Sequence, residues 1–523
     1  MALENFCQEL VKIIIREELK KAELENLKSR LAKKHRLNEI PKNAQIIAWL
    51  EKQDYDEDEK ELLRRFLQTK PVRSGSGVSV IAVMAMADCP GRCIYCPRGE
   101  GSPQSYTGVE PATMRAKRVG FDPFKQVQSR LRQLEVTGHL TDKCELIIMG
   151  GTFPALPKAF QEKFVKRCID ALNERKSKSL LASQKLNESA EHRCVGLTIE
   201  TRPDYCQESH ISQMLKLGTT RVELGVQNID DGILKRISRG HGVSETINAT
   251  RLLKDSGLKV CYHMMPGLTG IFGKINMGAE NKAFDEIFSN ENFKPDLLKV
   301  YPTLVIPGTV LHKLWKSGKY KPLSQKQAKR IIMHLKSVVP KWIRIQRMQR
   351  DISWEKIDAG PDMTNIRQVI QSEMKIAGKL CQCIRCREVG HQMNMKPGGI
   401  KLKRTEYEAS GGKEIFLSFE DDMNKILIAY LRLRIPEKPF IKELEGCALV
   451  RELHVYGSEV PIGERDADKW QHKGYGKLLL KEAESMSRKL GLRKIAVTSG
   501  VGVRSYYKKL GYKLIGSYMI KSV

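Results

Sequence analysis

The sequence lacks the long apolar segments that membrane-spanning proteins need. None of its apolar runs approaches the roughly 20 residues of a membrane-spanning helix, although the chain has 523 residues. The first 20 residues also do not resemble a signal peptide, because acidic residues interrupt them and no small-residue cleavage site follows. These absences exclude the membrane-spanning class and predict a cytoplasmic protein without a membrane partner.

Disulfide pairing is also not expected. The chain has 13 cysteines, an odd number, and no secretion signal, so reduced thiols or metal ligands are favoured over disulfides. Six of the cysteines form two tight groups, at 89–96 and 381–386. The two groups are therefore the candidates for metal binding.

Acidic residues are scarce relative to basic ones. The chain has 61 acidic and 90 basic residues, which gives a net charge of +29 and predicts a polyanionic partner, with nucleic acid favoured over a membrane surface. Residues 1–75 are nearly balanced, but residues 375–404 carry eight basic residues and one acid. Residues 341–350 carry four basic residues, no acid and Trp342, a pattern that fits either phosphate contacts with base stacking or a buried tryptophan. The basic residues of this tract are Lys341, Arg344, Arg347 and Arg350.

The pattern along the chain predicts an α/β protein in four parts. Residues 1–75 have apolar positions at helical spacing, residues 351–398 form an irregular basic linker, and residues 399–523 read as three strands followed by helix, strand, helix and strand. In residues 76–350, six apolar runs alternate with six helical segments, which indicates a parallel sheet, either barrel or open. The predicted strands are Val78–Ala85, Glu145–Gly151, Cys194–Thr201, Arg221–Gln227, Lys259–Gly267 and Leu297–Val305.

The first cysteine group has the spacing C-x3-C-x2-C, at Cys89, Cys93 and Cys96. Three thiolates can bind three irons of a [4Fe–4S] cluster and leave the fourth iron open; a zinc site lacking its fourth ligand is the alternative. The spacing resembles the radical S-adenosylmethionine (SAM) superfamily. That resemblance implies a [4Fe–4S] cluster on a partial (β/α)6 barrel, with SAM beside it. It also implies SAM contacts from the glycine-rich end of the second strand, at Gly150, Gly151 and Thr152.

The second group, Cys381, Cys383 and Cys386, has the spacing C-x-C-x2-C, and His391 follows it. Cysteine and histidine at such spacing suit tetrahedral zinc, which can stabilise a segment without a large core. A second iron–sulfur cluster is the other metal that fits. His391 is a candidate for the fourth ligand, as is a residue from another loop.

A glycine-rich turn precedes a helix in the last part of the chain. It reads Q-x-x-G-x-G, and backbone N–H groups at such a helix start can bind a pyrophosphate. With the strands around it, the turn resembles the GNAT acetyltransferase superfamily, which implies an α+β fold that binds acetyl-CoA. Tyr507, and after it Tyr506, is the candidate beside the thioester. The implied contacts are Gln471, Gly474, Tyr475, Gly476 and Lys477 for the pyrophosphate, and Glu452, Leu453, His454 and Val455 for the pantetheine arm.

The two halves together resemble the Elongator catalytic-subunit family of tRNA wobble-uridine acetyltransferases, in its prokaryotic and archaeal form. The resemblance runs from about residue 75 to the end and includes Met149–Phe153, Glu200–Tyr205 and Arg451–Gly457. It implies that Lys143 and Lys299 lie at the barrel mouth and contact acetyl-CoA. The segment Leu268–Ala279 departs from the short acidic loop of the family.

The resemblance implies a reaction as well as a fold. A radical formed from SAM takes hydrogen from the acetyl methyl group, and the two-carbon unit is joined to carbon 5 of the wobble uridine as a carboxymethyl group. Lys341, Arg344, Arg347 and Arg350 are then the predicted tRNA contacts. A lysine acetyltransferase that uses the GNAT part alone and a non-catalytic tRNA scaffold stay as alternatives. The sequence leaves open a homodimer or additional subunits.

Overall fold

The computed structural model describes residues 2–16, 19, 21–69, 77–363, 365–391, 397–457 and 474–523. Its amino-terminal part is helical, as predicted. One face of the first helix is buried through Phe6, Leu10 and Ile14, which recur every four residues, and these side chains pack with the next three helices in a core of their own. The four helices are α1 (Ala2–Arg16), α2 (Leu24–Lys34), α3 (Asn43–Leu50) and α4 (Glu57–Leu67).

A seven-stranded parallel sheet forms the centre of the molecule, with its strands in chain order. Among the described residues its first and last strands do not pair, so the curled sheet is an open half-barrel. The strands are β1 (Ser79–Met84), β2 (Lys143–Met149), β3 (Arg193–Thr201), β4 (Arg221–Gln227), β5 (Lys259–Met264), β6 (Leu297–Val300) and β7 (Arg344–Arg347).

Helices connect these strands and cover the outer face of the sheet. They are α5 (Pro111–Arg118), α6 (Pro123–Glu135), α7 (Lys158–Leu172), α8 (Leu180–Asn187), α9 (Glu208–Leu217), α10 (Asp231–Arg236), α11 (Val243–Asp255), α12 (Met277–Ser289), α13 (Val310–Lys316) and α14 (Gln325–Val338). Two more, α15 (Ile366–Ile376) and α16 (Ile384–Arg387), follow the sheet.

The seventh strand lies in the tract that was predicted to contact nucleic acid. Ile343 and Ile345 are fully buried, and β7 pairs in parallel with β6. The strand is only four residues long and two of the four are basic, so its apolar pattern was too short to indicate a strand. Trp342 stacks on Tyr407, with ring centroids 4.1 Å apart, and is part of the packing rather than a free platform.

The second sheet is mixed, as expected for the GNAT part, with order β13-β14-β12-β11-β10-β9-β8. Only the β11–β12 pair is parallel. Its strands are β8 (Lys401–Ala409), β9 (Gly412–Asp421), β10 (Ile426–Ile435), β11 (Cys447–Val455), β12 (Lys494–Val497), β13 (Lys513–Ile515) and β14 (Tyr518–Ser522), and its helices are α17 (Tyr475–Lys489) and α18 (Arg504–Lys508).

The second sheet packs against the amino ends of the half-barrel strands through buried ion pairs. Arg451 of β11 donates to both oxygens of Asp296, which precedes β6, at 2.6 and 2.7 Å. Arg434 of β10 donates to Asp255 at 2.6 Å, and both arginines also contact Glu414. Although burial opposes ionisation, Arg451 and Arg432 hold the pKa of Asp296 well below its ordinary range. The interface is therefore fixed by charge pairs that water does not reach.

Within the described part of the chain, no helix has both the length and the apolar character required to cross a bilayer.

Candidate active site

The cysteine loop follows β1 at the carboxyl end of the half-barrel, where parallel barrels place their chemistry. Ile94, between the second and third cysteines, accepts a hydrogen bond from the Leu311 amide at 2.8 Å and donates to the Ile237 carbonyl at 3.1 Å. Cys93, Ile94 and Tyr95 are buried in one apolar cluster with residues of α10 and α13. The loop is thus held by two neighbouring elements rather than left as a free surface segment.

Hydrogen-bond donors surround the thiols of this loop. The Thr152 hydroxyl donates to Cys89 Sγ at 3.1 Å, the Gly91 amide to the same sulfur at 3.4 Å, and Arg239 Nη1 to Cys93 Sγ at 3.3 Å. Donors and a guanidinium stabilise thiolates, the form in which cysteine binds metal. The chemistry of the loop therefore fits ligation of iron by Cys89, Cys93 and Cys96.

Gly150 and Gly151 follow β2 and pack against the segment that leads into the cysteine loop. Both have positive φ, 106° and 55°. A side chain on Gly150 would collide with the Ala85 carbonyl, and one on Gly151 with the Ala87 carbonyl. The pair allows the end of β2 to approach the loop, so the predicted SAM contacts do lie beside the cysteines.

The distances between sulfur atoms distinguish the two cysteine groups. In the described residues, the sulfur atoms of Cys381, Cys383 and Cys386 lie within 4.8 Å of one another, and those of the first group do not. Ligands of one tetrahedral zinc ion lie about 3.8 Å apart. Thiolates that each bind a different iron must be more widely spaced. The first group therefore fits a cluster better than a single ion, and the second group fits a single ion.

His391 does not join the second group. Its Nε2 atom lies 2.7 Å from a carboxylate oxygen of Glu388, which also pairs with Arg344. These partners lower the pKa of Glu388 to about 2 against the effect of burial. The structure therefore gives His391 a carboxylate partner, and its role as the fourth ligand stays a prediction.

Charged side chains fill the interior of the half-barrel, and sequence patterns missed most of them. Lys299 contacts Glu223 and lies 3.2 Å from Glu200, and His263 lies 2.8 Å from Glu223. Although burial opposes it, the two carboxylates hold the pKa of Lys299 well above its ordinary value. Lys299 was predicted to point into the barrel, and it does. Polar residues inside otherwise apolar β4 and β5 were the available signal for Glu223 and His263.

Lys143 lies at the opposite end of the half-barrel from the cysteine loop. It is the first residue of β2, and its Nζ atom is 4.0 Å from Asp142. The prediction that Lys143 lies at the barrel mouth is therefore wrong. It pairs in register with Arg193, whose Cβ closely approaches Gly502 just before α18, so Lys143 lies near the GNAT part instead.

The predicted CoA site is an opening between two strands of the second sheet. The β11–β12 ladder ends at Val450 and Val497, whereas β11 continues to Val455 and pairs there only with β10 among the described residues. Helix α17 begins next to this opening, after Gly474 in the left-handed region at φ 93°. The part of β11 beyond the ladder consists of Glu452, Leu453, His454 and Val455. Helix α17 begins with Tyr475, Gly476 and the exposed Lys477. Gln471 lies outside the described residues.

The two tyrosines of α18 differ in their surroundings. Tyr507 is buried in the core of the second sheet with Tyr512, and burial raises its pKa. Tyr506 is only partly buried, and its hydroxyl lies 3.4 Å from the position that a Cβ on Gly476 would occupy. The hydroxyl of Tyr506 therefore faces the start of α17, whereas Tyr507 was the first candidate from sequence.

Most basic side chains of the tract at 341–350 contact other groups of the same chain. Arg344 is 9% exposed and donates to Glu388 and, at 2.7 Å, to the Tyr456 hydroxyl. Arg350 donates to the Ser105 carbonyl at 2.6 Å, and the half-exposed Arg347 pairs with Asp351 at 2.7 Å. The expectation that Arg344 contacts RNA is wrong, because its guanidinium is buried in the contact between β7 and the second sheet. The partly exposed Lys341 remains a candidate.

Comparison with known proteins agrees with this geometry. The chain matches four family models: the ELP3 N-terminal domain over 3–75, the Radical SAM superfamily over 83–273, the Radical_SAM C-terminal domain over 295–376 and the Acetyltransferase (GNAT) family over 395–512. It is 53% identical to the tRNA uridine(34) acetyltransferase of Methanocaldococcus infernus, over 97% of this chain and 96% of the relative. This chain belongs to the tRNA uridine(34) acetyltransferase family.

The family extends to eukaryotes and has a solved structure. Elongator complex protein 3 of Homo sapiens is 44% identical over 97% of this chain and 94% of its own. The archaeal Methanocaldococcus infernus Elp3 with an N-terminal deletion has 51% identity and a TM-score of 0.76, over 86% of this chain and all of the solved chain. Membership in the tRNA uridine(34) acetyltransferase family confirms the resemblance, the radical SAM half-barrel and the GNAT sheet that were predicted from motifs.

Proposed function

We propose that this protein carboxymethylates carbon 5 of the wobble uridine in tRNA, with acetyl-CoA as the two-carbon donor. The observation that carries the proposal is the packing of a three-thiol radical SAM loop and an opened GNAT strand pair into one body. The names of the relatives, tRNA uridine(34) acetyltransferase, support the choice of substrate. An RNA substrate also agrees with the net charge of +29 and with the predicted cytoplasmic location.

A bound [4Fe–4S] cluster with SAM would supply the hydrogen-abstracting radical chemistry. Cys89, Cys93 and Cys96 would hold the cluster, while Gly150, Gly151 and Thr152 stand beside it. The residues of this chain position the reactants and exclude water. Ile94 and Tyr95 of the cysteine loop are buried and anchor it in the protein interior, and Arg239 places a positive charge next to the thiolates.

The charged interior of the half-barrel suits a polar reactant more than an apolar one. Lys299 is held between Glu200 and Glu223, and His263 shares Glu223 with it. These groups fix each other's orientation, so they form a preorganised environment rather than flexible surface charges. We infer that Lys299 and His263 line the chamber in which the acetyl group and the uridine meet.

The opening beyond the β11–β12 ladder would hold acetyl-CoA. Backbone groups of Glu452–Val455 would pair with the pantetheine arm, and the start of α17 would bind the pyrophosphate. We propose Tyr506 rather than Tyr507 beside the thioester, because the Tyr506 hydroxyl faces Gly476. Lys143, on the same side of the molecule, is a candidate for the CoA phosphates.

Tyr506→Phe should lower the rate of tRNA-dependent acetyl-CoA cleavage by at least about tenfold, because it removes one hydroxyl that can donate to the thioester. Tyr507→Phe is the matched control and should change the rate less than threefold, since its ring stays in the core. The rates are measured as free CoA released with saturating tRNA. A larger loss in Tyr507→Phe than in Tyr506→Phe would contradict the assignment.

We propose zinc as the ion of the second cysteine group, since its three sulfurs lie close enough to share one tetrahedral ion. Lys336 Nζ lies 3.4 Å from Cys386 Sγ and offsets part of the negative charge. Cys383→Ser should reduce bound zinc from about one per chain to well below half, as measured by elemental analysis. Cys168→Ser, which changes a buried cysteine of α7 outside both groups, should leave the zinc content unchanged. Equal zinc in both variants would show that the ion binds elsewhere.

The proposed reaction is tested with purified protein under anaerobic conditions. Unmodified tRNA is incubated with SAM, a reductant and acetyl-CoA, digested, and examined by mass spectrometry for 5-carboxymethyluridine. A tRNA with cytidine at the wobble position is the control. Product in the uridine tRNA alone would support the proposal, and product in both would place the reaction at another uridine. The same assay, run with the single chain alone, tests whether additional subunits are needed.

The division of the chain into four parts, at residues 75, 350 and 398, stays a prediction.

A further inference from the structure

A basic surface with one exposed aromatic ring lies beside the cysteine loop. Its aromatic residue is Phe272, at the end of the short 3-10 turn Leu268–Phe272 that follows β5. Its cations come from three segments that lie next to each other: α10, the turn itself and the chain after α13. We call this set the basic platform: Lys235, Arg236, Phe272, Lys274, Lys319 and Lys321.

Local structure turns Phe272 outward. Leu268 is 1% exposed and Ile271 packs in the same apolar cluster, three residues apart on the inner side of the turn. Phe272 is 51% exposed, and Gly273 in the left-handed region at φ 83° ends the turn directly after it. An exposed phenylalanine in this position contributes little to the core, so its ring is available to a ligand.

The turn is rigid because a buried carboxylate organises it. Glu280 Oε1 accepts hydrogen bonds from the Thr269 hydroxyl at 2.7 Å and from the Gly267 amide at 2.9 Å. The Lys321 amide donates to the Gly270 carbonyl at 3.0 Å, which joins the turn to the chain after α13. A ligand would therefore meet a preorganised ring and would order little of the chain on binding.

The cations of the platform are exposed and carry no acidic partner. The Arg236 guanidinium lies over the Phe272 ring, 4.8 Å from its centroid. Lys235, Lys274, Lys319 and Lys321 are exposed, and none of the four forms an ion pair within the described parts of the chain. Aromatic rings and guanidinium planes stack on unpaired nucleobases, while lysines hold the phosphates between them.

The platform is connected to the predicted reaction centre by backbone hydrogen bonds. Ile94 of the cysteine loop bonds to Ile237, which follows α10, and to Leu311 of α13. Platform segments thus flank the loop directly, at the carboxyl end of the half-barrel. RNA that delivers a base to that end would pass over this surface.

We propose that the basic platform binds the single-stranded anticodon loop, with a nucleotide next to the wobble uridine stacked on Phe272 and Arg236 and its phosphates on Lys319 and Lys321. The proposal rests on the proposed function, because it takes the tRNA substrate from there. It adds a positioning surface to that function, built from α10, the turn after β5 and the chain after α13.

The test measures binding of a 17-nucleotide anticodon stem-loop RNA by fluorescence anisotropy at several salt concentrations, without turnover. Phe272→Leu should raise Kd about five- to tenfold, or about 1–1.4 kcal/mol, which is the lower end of what a stacked base contributes, because leucine keeps part of the apolar contact. It should leave the salt dependence unchanged, and Phe272→Tyr should restore binding. Lys319→Ala with Lys321→Ala should raise Kd and lower the slope of log K against log salt by about 1 for each lysine.

Matched controls are available on α7 and in the segment after it, outside the platform. Phe160→Leu removes another exposed phenylalanine, which is 41% exposed on α7, and Lys176→Ala with Lys178→Ala removes two exposed lysines after α7. These variants should bind the stem-loop as the wild type does. Unchanged binding by both platform variants would overturn the proposal. The proposal would also be overturned if the platform variants lost as much affinity for a fully double-stranded RNA as for the stem-loop. The same holds if they lost affinity only for phosphatidylserine vesicles.

The same proteins separate this proposal from the proposed function. If the wild type binds the stem-loop in a Phe272-dependent manner but yields no modified uridine, the platform stands and the proposed reaction fails. If the wild type makes carboxymethyluridine and Phe272→Leu neither weakens binding nor raises the KM for tRNA, the reaction stands and the platform fails.

Discussion

Cys96→Ala is expected to abolish 5-carboxymethyluridine while the protein stays folded and binds acetyl-CoA. The reason is the geometry of the loop. Its three thiols are too widely spaced to share one ion, so each is expected to hold its own iron, and no other described cysteine lies in that loop. Loss of one ligand should therefore reduce bound iron several-fold and reduce product to below detection. Iron content, visible absorption and nucleoside mass spectrometry measure these effects.

Cys168→Ala is the matched control for this prediction. Cys168 is buried in α7 within the apolar core, and burial raises the pKa of its thiol. Its removal should leave iron and product unchanged and should cost at most about 1 kcal/mol of stability. Full product from Cys96→Ala would show that the loop does not hold the reactive cluster.

Arg451→Met is expected to lower the free energy of unfolding by about 3–5 kcal/mol, the largest stability effect in the chain. It removes three hydrogen bonds that cross between the half-barrel and the second sheet, one to the Leu258 carbonyl and two to Asp296, and a fourth to Glu414 within the second sheet. The buried carboxylates of Asp296 and Glu414 are then undercompensated. The measurement is urea denaturation followed by circular dichroism. Arg451 and the neighbouring arginines hold the pKa values of Asp296 and Glu414 below their ordinary values. Both carboxylates are therefore ionised at neutral pH, and the loss of stability is expected there.

Two further variants separate charge pairing from lost packing. Asp296→Asn in the Arg451→Met background should recover about 1–3 kcal/mol, because it removes one of the uncompensated charges. Arg404→Met breaks an exposed pair with Glu406 and should change stability by no more than about 0.5 kcal/mol. An Arg451→Met protein as stable as Arg404→Met would contradict a charge-fixed interface.

Motifs that are contiguous in sequence were predictable. Cys89, Cys93 and Cys96 lie within eight residues, and the Q-x-x-G-x-G turn directly precedes its helix, so local spacing carries their chemistry. Five of the seven half-barrel strands were also placed within a few residues, since each has a long apolar pattern. The sixth predicted strand, Leu297–Val305, was too long, because β6 ends at Val300.

What depends on distant partners was not predictable. Arg344 looks like a phosphate contact until Glu388 and Tyr456, both far along the chain, are seen to bury it. Lys143 is the first residue of β2, so the direction of the strand places it away from the mouth. His391 has a plausible ligand spacing, but its Nε2 atom lies 2.7 Å from a carboxylate oxygen of Glu388. In each case a local pattern was correct about residue type and silent about the neighbour that decides its role.

The most direct test of the central claim follows the two carbons of the acetyl group through the single chain. Anaerobic protein is given [13C2]acetyl-CoA, SAM, a reductant and unmodified tRNA, and the nucleosides are read by mass spectrometry. The account predicts that both labelled carbons appear together on the wobble uridine, and that Cys96→Ala and Tyr506→Phe each reduce the label. Label on a peptide lysine that survives Cys96→Ala, with none in the tRNA, would contradict the account and favour a lysine acetyltransferase.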